Sequence, residues 1–122
     1  MPARPGSHPV LDTADLQPGQ VCAVEIEGVS IAVARKRDGT FRALRNRCPH
    51  QGGPLSEGRC EAFLVGPDVG AYAMSEGRDV VRCPWHHFEF DLDTGRSIAD
   101  PVRYRVRSYP TSVENGQVVV ER

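Results

Sequence analysis

Apolar and polar positions alternate along this chain in short runs, broken every few residues by Gly, Pro or Asp. Val21, Ala23, Val24 and Ile26 precede Gly28, and Val29, Ile31 and Val33 follow it, the signature of a hairpin. Asp38-Gly39 marks a tight turn into Phe41-Arg42-Ala43-Leu44. Val80, Val81 and Arg82 read as a strand. Phe88, Phe90 and Leu92 alternate with Glu89, Asp91 and Asp93, which predicts a half-buried strand closed by a Thr94-Gly95 turn. Val102, Tyr104 and Val106 alternate with Arg103, Arg105 and Arg107, predicting a strand with a one-sided basic stripe. Such a stripe is either a solvated face or a docking stripe for an acidic partner. The strongest hairpin signal joins Ser112-Val113-Glu114 to Gln117–Glu121 through Asn115-Gly116. The first 12 or so residues read as a flexible arm. The pattern predicts an all-β fold of short antiparallel strands.

Composition narrows this picture. Gly 12 and Pro 10 favour turns over long helices, and 122 residues suit one domain, 1–122, with a modest core. The 15 Lys plus Arg nearly cancel the 16 Asp plus Glu, so no general electrostatic attraction to nucleic acid or anionic membrane is expected. No apolar run approaches a membrane span, and the first residues lack the apolar stretch of a signal peptide. The chain therefore reads as cytoplasmic, where thiols stay reduced. Cys22, among Val21, Ala23 and Val24, reads as a small core residue, and Cys60 has no assigned role.

The chemistry lies in two short segments, Cys48-Pro49-His50 and Cys83-Pro84-Trp85-His86. Each sets one thiol and one imidazole in a tight loop. Pro after each Cys fixes φ and offers no N–H, which stiffens the loop. Two thiolates and two imidazoles can then converge on one metal centre. A structural zinc site is one alternative, although zinc knuckles usually pair Cys with Cys and His with His. Buried thiols with unrelated surface His are another.

The flanking residues extend the pattern. His50 is followed by Gln51-Gly52-Gly53-Pro54-Leu55-Ser56, and His86 by His87-Phe88-Glu89-Phe90-Asp91-Leu92-Asp93-Thr94-Gly95. Over about residues 40–110 the chain resembles the Rieske iron–sulfur family, with its C-x-H and C-x-x-H motifs and a downstream F-D-x-x-T-G. The resemblance implies one [2Fe–2S] cluster, with Cys48 and Cys83 on one iron and His50 and His86 on the other. It also implies the architecture: antiparallel base sheets with an inserted cluster-binding subdomain, about 46–97, whose two ligand loops meet at one tip. Leu55, Pro54 and Trp85 would shield the centre.

Departures from the family pattern matter too. Residues 51–82 separate the two motifs, longer than usual, with the excess assigned to 61–78, a loop or extra hairpin that is either a tolerated insertion or a partner-recognition surface. His87 stands where Gly is common. The positions that carry a disulfide in high-potential members lie near Gly53 and Trp85, and neither is Cys. No Ser or Tyr occurs in His86–Phe90, which implies a potential near the low end of the Rieske range, roughly −150 to −50 mV.

The function implied is a ferredoxin, a one-electron carrier between a flavin-dependent reductase and a terminal oxygenase. The alternative is the small subunit of a multisubunit reductase such as assimilatory nitrite reductase, partnered by its large subunit. Only His8 and His87 lie outside the proposed ligand set, so no facial triad is visible and the chain is not expected to be an enzyme by itself.

Overall fold

A computed structural model describes residues 6–49, 52–62, 79–83 and 89–122, with the backbone alone over 59–62. The described residues form three antiparallel sheets. The strands are β1 (Ser7–Asp12), β2 (Val21–Ile26), β3 (Val29–Arg35), β4 (Phe41–Arg45), β5 (Arg59–Ala62), β6 (Asp79–Arg82), β7 (Glu89–Asp91), β8 (Ser108–Tyr109), β9 (Thr111–Glu114) and β10 (Gln117–Glu121). The sheets order as β1-β10-β9, β2-β3-β4-β8 and β5-β6-β7. Among the described residues no helix is long and apolar enough to cross a membrane.

The turns fall where the sequence places them. Glu27 and Gly28 both have positive φ, 51° and 83°, as do Asn115 and Gly116, 54° and 75°. Two consecutive left-handed residues make the turn whose twist matches the strands on either side. Gly39 N–H donates to the Lys36 carbonyl at the head of the β3–β4 hairpin. The 61–78 insertion begins in β5, which pairs with β6 from Arg59↔Arg82 to Ala62↔Asp79; its residues 63–78 lie outside the described residues.

Two segments depart from expectation. The predicted arm is not an arm from Ser7 onward: Ser7–Asp12 is a strand paired with β10, Ser7 facing Glu121 and Asp12 facing Gln117. Pro9 is tolerated because β1 is an edge strand, and the register slips between Pro9 and Leu11. The Val102–Val106 stretch is not a strand either. Asp100 accepts hydrogen bonds from Arg103 N–H through its carboxylate and from Tyr104 N–H through its carbonyl, so the chain turns over 101–103. Only a single bridge, Arg96↔Arg105, remains. Val102 is 84% exposed instead of facing the core.

Strand β3 separates two cores. Ile31 and Val33 join Leu16, Ile26, Phe41, Tyr109 and Val118 in a core shared by the β1-β10-β9 and β2-β3-β4-β8 sheets, where Cys22 packs partly buried. Ala32 and Ala34, on the opposite face, join Leu44, Leu55, Val81, Phe90, Leu92 and Val106. Burial on both faces explains why 29–34 reads as an almost unbroken apolar run rather than a strict alternation. The second core carries the β5-β6-β7 sheet, which lies wholly within the 46–97 segment.

Candidate metal centre

Cys48 and Cys83 arrive at this second core from different elements. Cys48 follows β4 by three residues, and Cys83 follows directly on β6. Cys48 is 2% exposed and Cys83 0%, and both belong to the apolar cluster that holds Leu55, Val81, Phe90 and Leu92. His50 and His86 lie outside the described residues, as do Trp85 and His87. Among the described residues the two cysteines are thus the part of the predicted ligand set that the fold brings together.

The first loop is held by its own backbone and by one amide side chain. Cys48 N–H donates to the Gly53 carbonyl at 2.8 Å, and Gly52 N–H returns a bond to the Cys48 carbonyl at 2.7 Å. Gly52 has φ +81°, which closes this tight turn. Asn46 braces it from outside. Its Nδ2 donates to Ser30 Oγ at 3.0 Å and Ser56 Oγ at 2.9 Å, and its Oδ1 accepts Ser56 N–H at 2.7 Å. Leu55, fully buried at the start of the Leu55–Glu57 3-10 turn, packs into the cysteine-containing cluster, while Pro54 is half-buried.

Gly58 sets the end of the first loop against strand β6. A Cβ on Gly58 would lie 1.8 Å from the Arg82 carbonyl oxygen, so only glycine lets the end of the first loop run against the strand that ends at Cys83. On the other side, Gly95 has φ +76°, and a Cβ there would meet the Val106 carbonyl oxygen at 2.2 Å. Asp91 caps the intervening turn by accepting Asp93 N–H at 2.7 Å.

Charged pairs fasten this unit to the base. Asp79, only 4% exposed, accepts Arg37 N–H at 2.7 Å and Arg37 Nε at 2.9 Å, with Nη2 at 2.8 Å. Asp93 accepts Lys36 Nζ at 2.9 Å and Arg42 Nε at 2.8 Å. Partial burial pushes the Asp93 carboxyl up, but the Lys36 and Arg42 bonds outweigh it and leave its pKa below the usual carboxylate value. Arg82 pairs with Glu89 across β6 and β7 at 3.2 Å. Replacing Arg37 with leucine should cost about 1–3 kcal/mol, because the buried Asp79 carboxylate loses its guanidinium partner and keeps only the backbone N–H of residue 37. Urea unfolding of the variant measures this; a midpoint equal to the parent's would show that the pair contributes nothing.

The donor set suits a soft metal. Two buried thiols in one apolar cluster, one in a glycine-tightened loop and one directly after strand β6, offer sulfur ligands shielded from water. Cys22 differs: burial first, and then the Asp15 carboxylate, push its thiol pKa up, which keeps it protonated and inert.

Asn46, Gly58 and the Arg37–Asp79 pair were not singled out by sequence reasoning. The only signals were Asn46 and Gly58 themselves, flanking the first motif.

A sequence model of the Rieske [2Fe–2S] domain matches residues 6–110. The ferredoxin component of a naphthalene 1,2-dioxygenase system from Pseudomonas putida is 30% identical over 108 residues, 88% of each chain. A Mycobacterium tuberculosis protein provisionally named as an NADH-dependent nitrite reductase small subunit superimposes with TM-score 0.77 and 29% identity, covering 95% of this chain and 94% of that one. The ferredoxin of carbazole 1,9a-dioxygenase from Nocardioides aromaticivorans IC177 gives TM-score 0.71 and 27% identity, over 94% and 96% of the two chains.

Proposed function

The chain belongs to the Rieske [2Fe–2S] domain family, and from that premise we propose that it is a ferredoxin carrying single electrons from a reductase to a terminal oxygenase. The observation that carries this reading is the convergence of Cys48 and Cys83, from separate elements, on one dry apolar cluster. The ferredoxin components among its relatives support the role.

In this proposal Cys48 and Cys83 hold one iron, and His50 and His86 the other. When bound, the cluster supplies one-electron redox chemistry at a potential set by its mixed ligands. The chain does the rest. Leu55, Phe90 and Leu92 exclude water from the thiolate side. Asn46 braces the first loop on Ser30 and Ser56, and Gly58 lets it close against the strand that ends just before Cys83. The outer nitrogens of His50 and His86 would face the partner and hold or release a proton there. The donor is a flavin-dependent reductase, and the protein works in the cytoplasm, consistent with its dependence on reduced thiols.

Purified protein should contain about two iron and two acid-labile sulfide per chain. Its reduced form should show the low average g value of mixed His/Cys ligation. Changing His50 and His86 together to cysteine should lower the potential if the cluster still assembles, because anionic thiolate replaces neutral imidazole. An unchanged potential and spectrum would remove these histidines from the ligand set. Stoichiometric zinc without iron, in protein made anaerobically, would overturn the reading altogether.

The likeness to a reductase small subunit supports a second reading, in which the chain is the minor subunit of a nitrite reductase. The two separate on assembly: a subunit co-purifies with its large partner in fixed ratio, whereas a shuttle does not.

A further inference from the structure

The cations whose side chains are described divide into two groups. Arg35, Lys36, Arg37, Arg42, Arg82 and Arg122 are spent on structure. Arg35 donates to the Thr13, Leu16 and Gly39 carbonyls, and the others pair with Asp79, Asp93, Glu89 or Glu27. The second group is Arg45, Arg47, Arg96, Arg103, Arg105 and Arg107. All of these are exposed, and among the described residues none has a carboxylate partner.

The backbone gathers this second group. Arg45 N–H donates to the Arg107 carbonyl at 2.8 Å, which continues the Ala43↔Tyr109 and Leu44↔Ser108 pairs and sets Arg45 beside Arg107. Arg96 bridges to Arg105. Val106 is buried in the core, whereas Arg105 and Arg107 on either side of it are exposed. The guanidinium of Arg103 lies 5.2 Å from the Tyr104 ring, and that of Arg107 lies 5.2 Å from the Tyr109 ring. Such stacking restrains the side chains without neutralising them. At one end the row reaches the first motif: Arg47 directly precedes Cys48, and its Nε would stand 3.4 Å from a Cβ on Gly52. At the other end Val102, 84% exposed, offers an apolar contact beside Arg103. The chain as a whole carries net charge −1, so this face opposes the molecular charge.

We propose that this arginine face is the docking surface for an acidic patch on the protein that exchanges electrons with this chain. The inference rests on the electron-carrier reading. A carrier must bring its metal site close to its partner, and a positive row running up to the first ligand loop both attracts an acidic surface and aims that loop at it. Charge complementarity of this kind acts mainly on the encounter rate and is screened by salt.

Two c-type cytochromes, one acidic and one basic, serve as electron acceptors of opposite charge for the reduced holoprotein. Stopped-flow traces at low salt should show the acidic cytochrome reduced about tenfold faster, with the preference vanishing near 0.3 M salt. The R45E/R107E double variant should reverse the preference while keeping its iron content and visible spectrum. Equal rates, or a basic cytochrome reduced faster by the parent protein, would overturn the docking proposal. Holoprotein that reduces neither cytochrome would instead overturn the carrier reading. Submicromolar binding of a short DNA duplex at about 0.15 M salt would reassign the face to nucleic acid and also overturn the proposal.

Discussion

Cys83→Ser is expected to produce colourless protein without iron or labile sulfide, unable to accept an electron from dithionite. In the proposed site the thiolate is the ligand, and a serine hydroxyl is far too weak an acid to replace it at neutral pH. Cys83 is fully buried, so the hydroxyl also enters an apolar cluster, at a cost of about 1–3 kcal/mol to the metal-free fold. Cys48→Ser should behave alike. Cys22→Ser is the control, because Cys22 packs at the edge of the other core and should leave metal content at the parent level. Full iron with an unaltered spectrum in Cys83→Ser would remove this residue from the site.

Gly58→Ala should destabilise the protein by about 3 kcal/mol or more and sharply lower the yield of loaded protein. The added methyl would fall 1.8 Å from a backbone oxygen, and backbone cannot step aside as a flexible side chain can. Relief requires the strand ending at Arg82 to move, and Cys83 moves with it. Gly28→Asn is the matched control: its φ is +83° but nothing lies within 4 Å of its Cβ position, and Asn tolerates that conformation. Thermal unfolding and iron content, measured on both variants, test the argument. A Gly58→Ala protein as stable and as well loaded as Gly28→Asn would refute it.

How much of this could be read from the chain depended on sequence distance. The β2–β3 and β9–β10 hairpins were legible because a two-residue turn and its flanking strands lie within one short window. The two Cys-Pro segments stood out because each is a short local pattern, whereas the burial of Cys48 and Cys83 in one cluster comes from the fold. Strand β1 was not: its partner, β10, sits at the other end of the chain, and Pro9 with a register slip hides its alternation. The Val102–Val106 stretch misled in the opposite sense. Its alternation is regular, but Asp100 captures the Arg103 and Tyr104 amides and turns the chain before a ladder can form. Gly58 is plain in the sequence, yet its necessity comes from the Arg82 carbonyl, which only the fold brings near.

Strand β3 carries a consequence for how such a protein can vary. At Ile31, Ala32, Val33 and Ala34 every side chain is interior, alternately to one core and to the other. No position there is available to carry surface charge or absorb neutral drift. A larger residue at Ala32 or Ala34 would press on the cysteine-bearing side, and one at Ile31 or Val33 on the base. Mutational tolerance should therefore be lowest along this strand, and adaptation of redox properties or partner choice is left to the loops and the arginine-lined exterior.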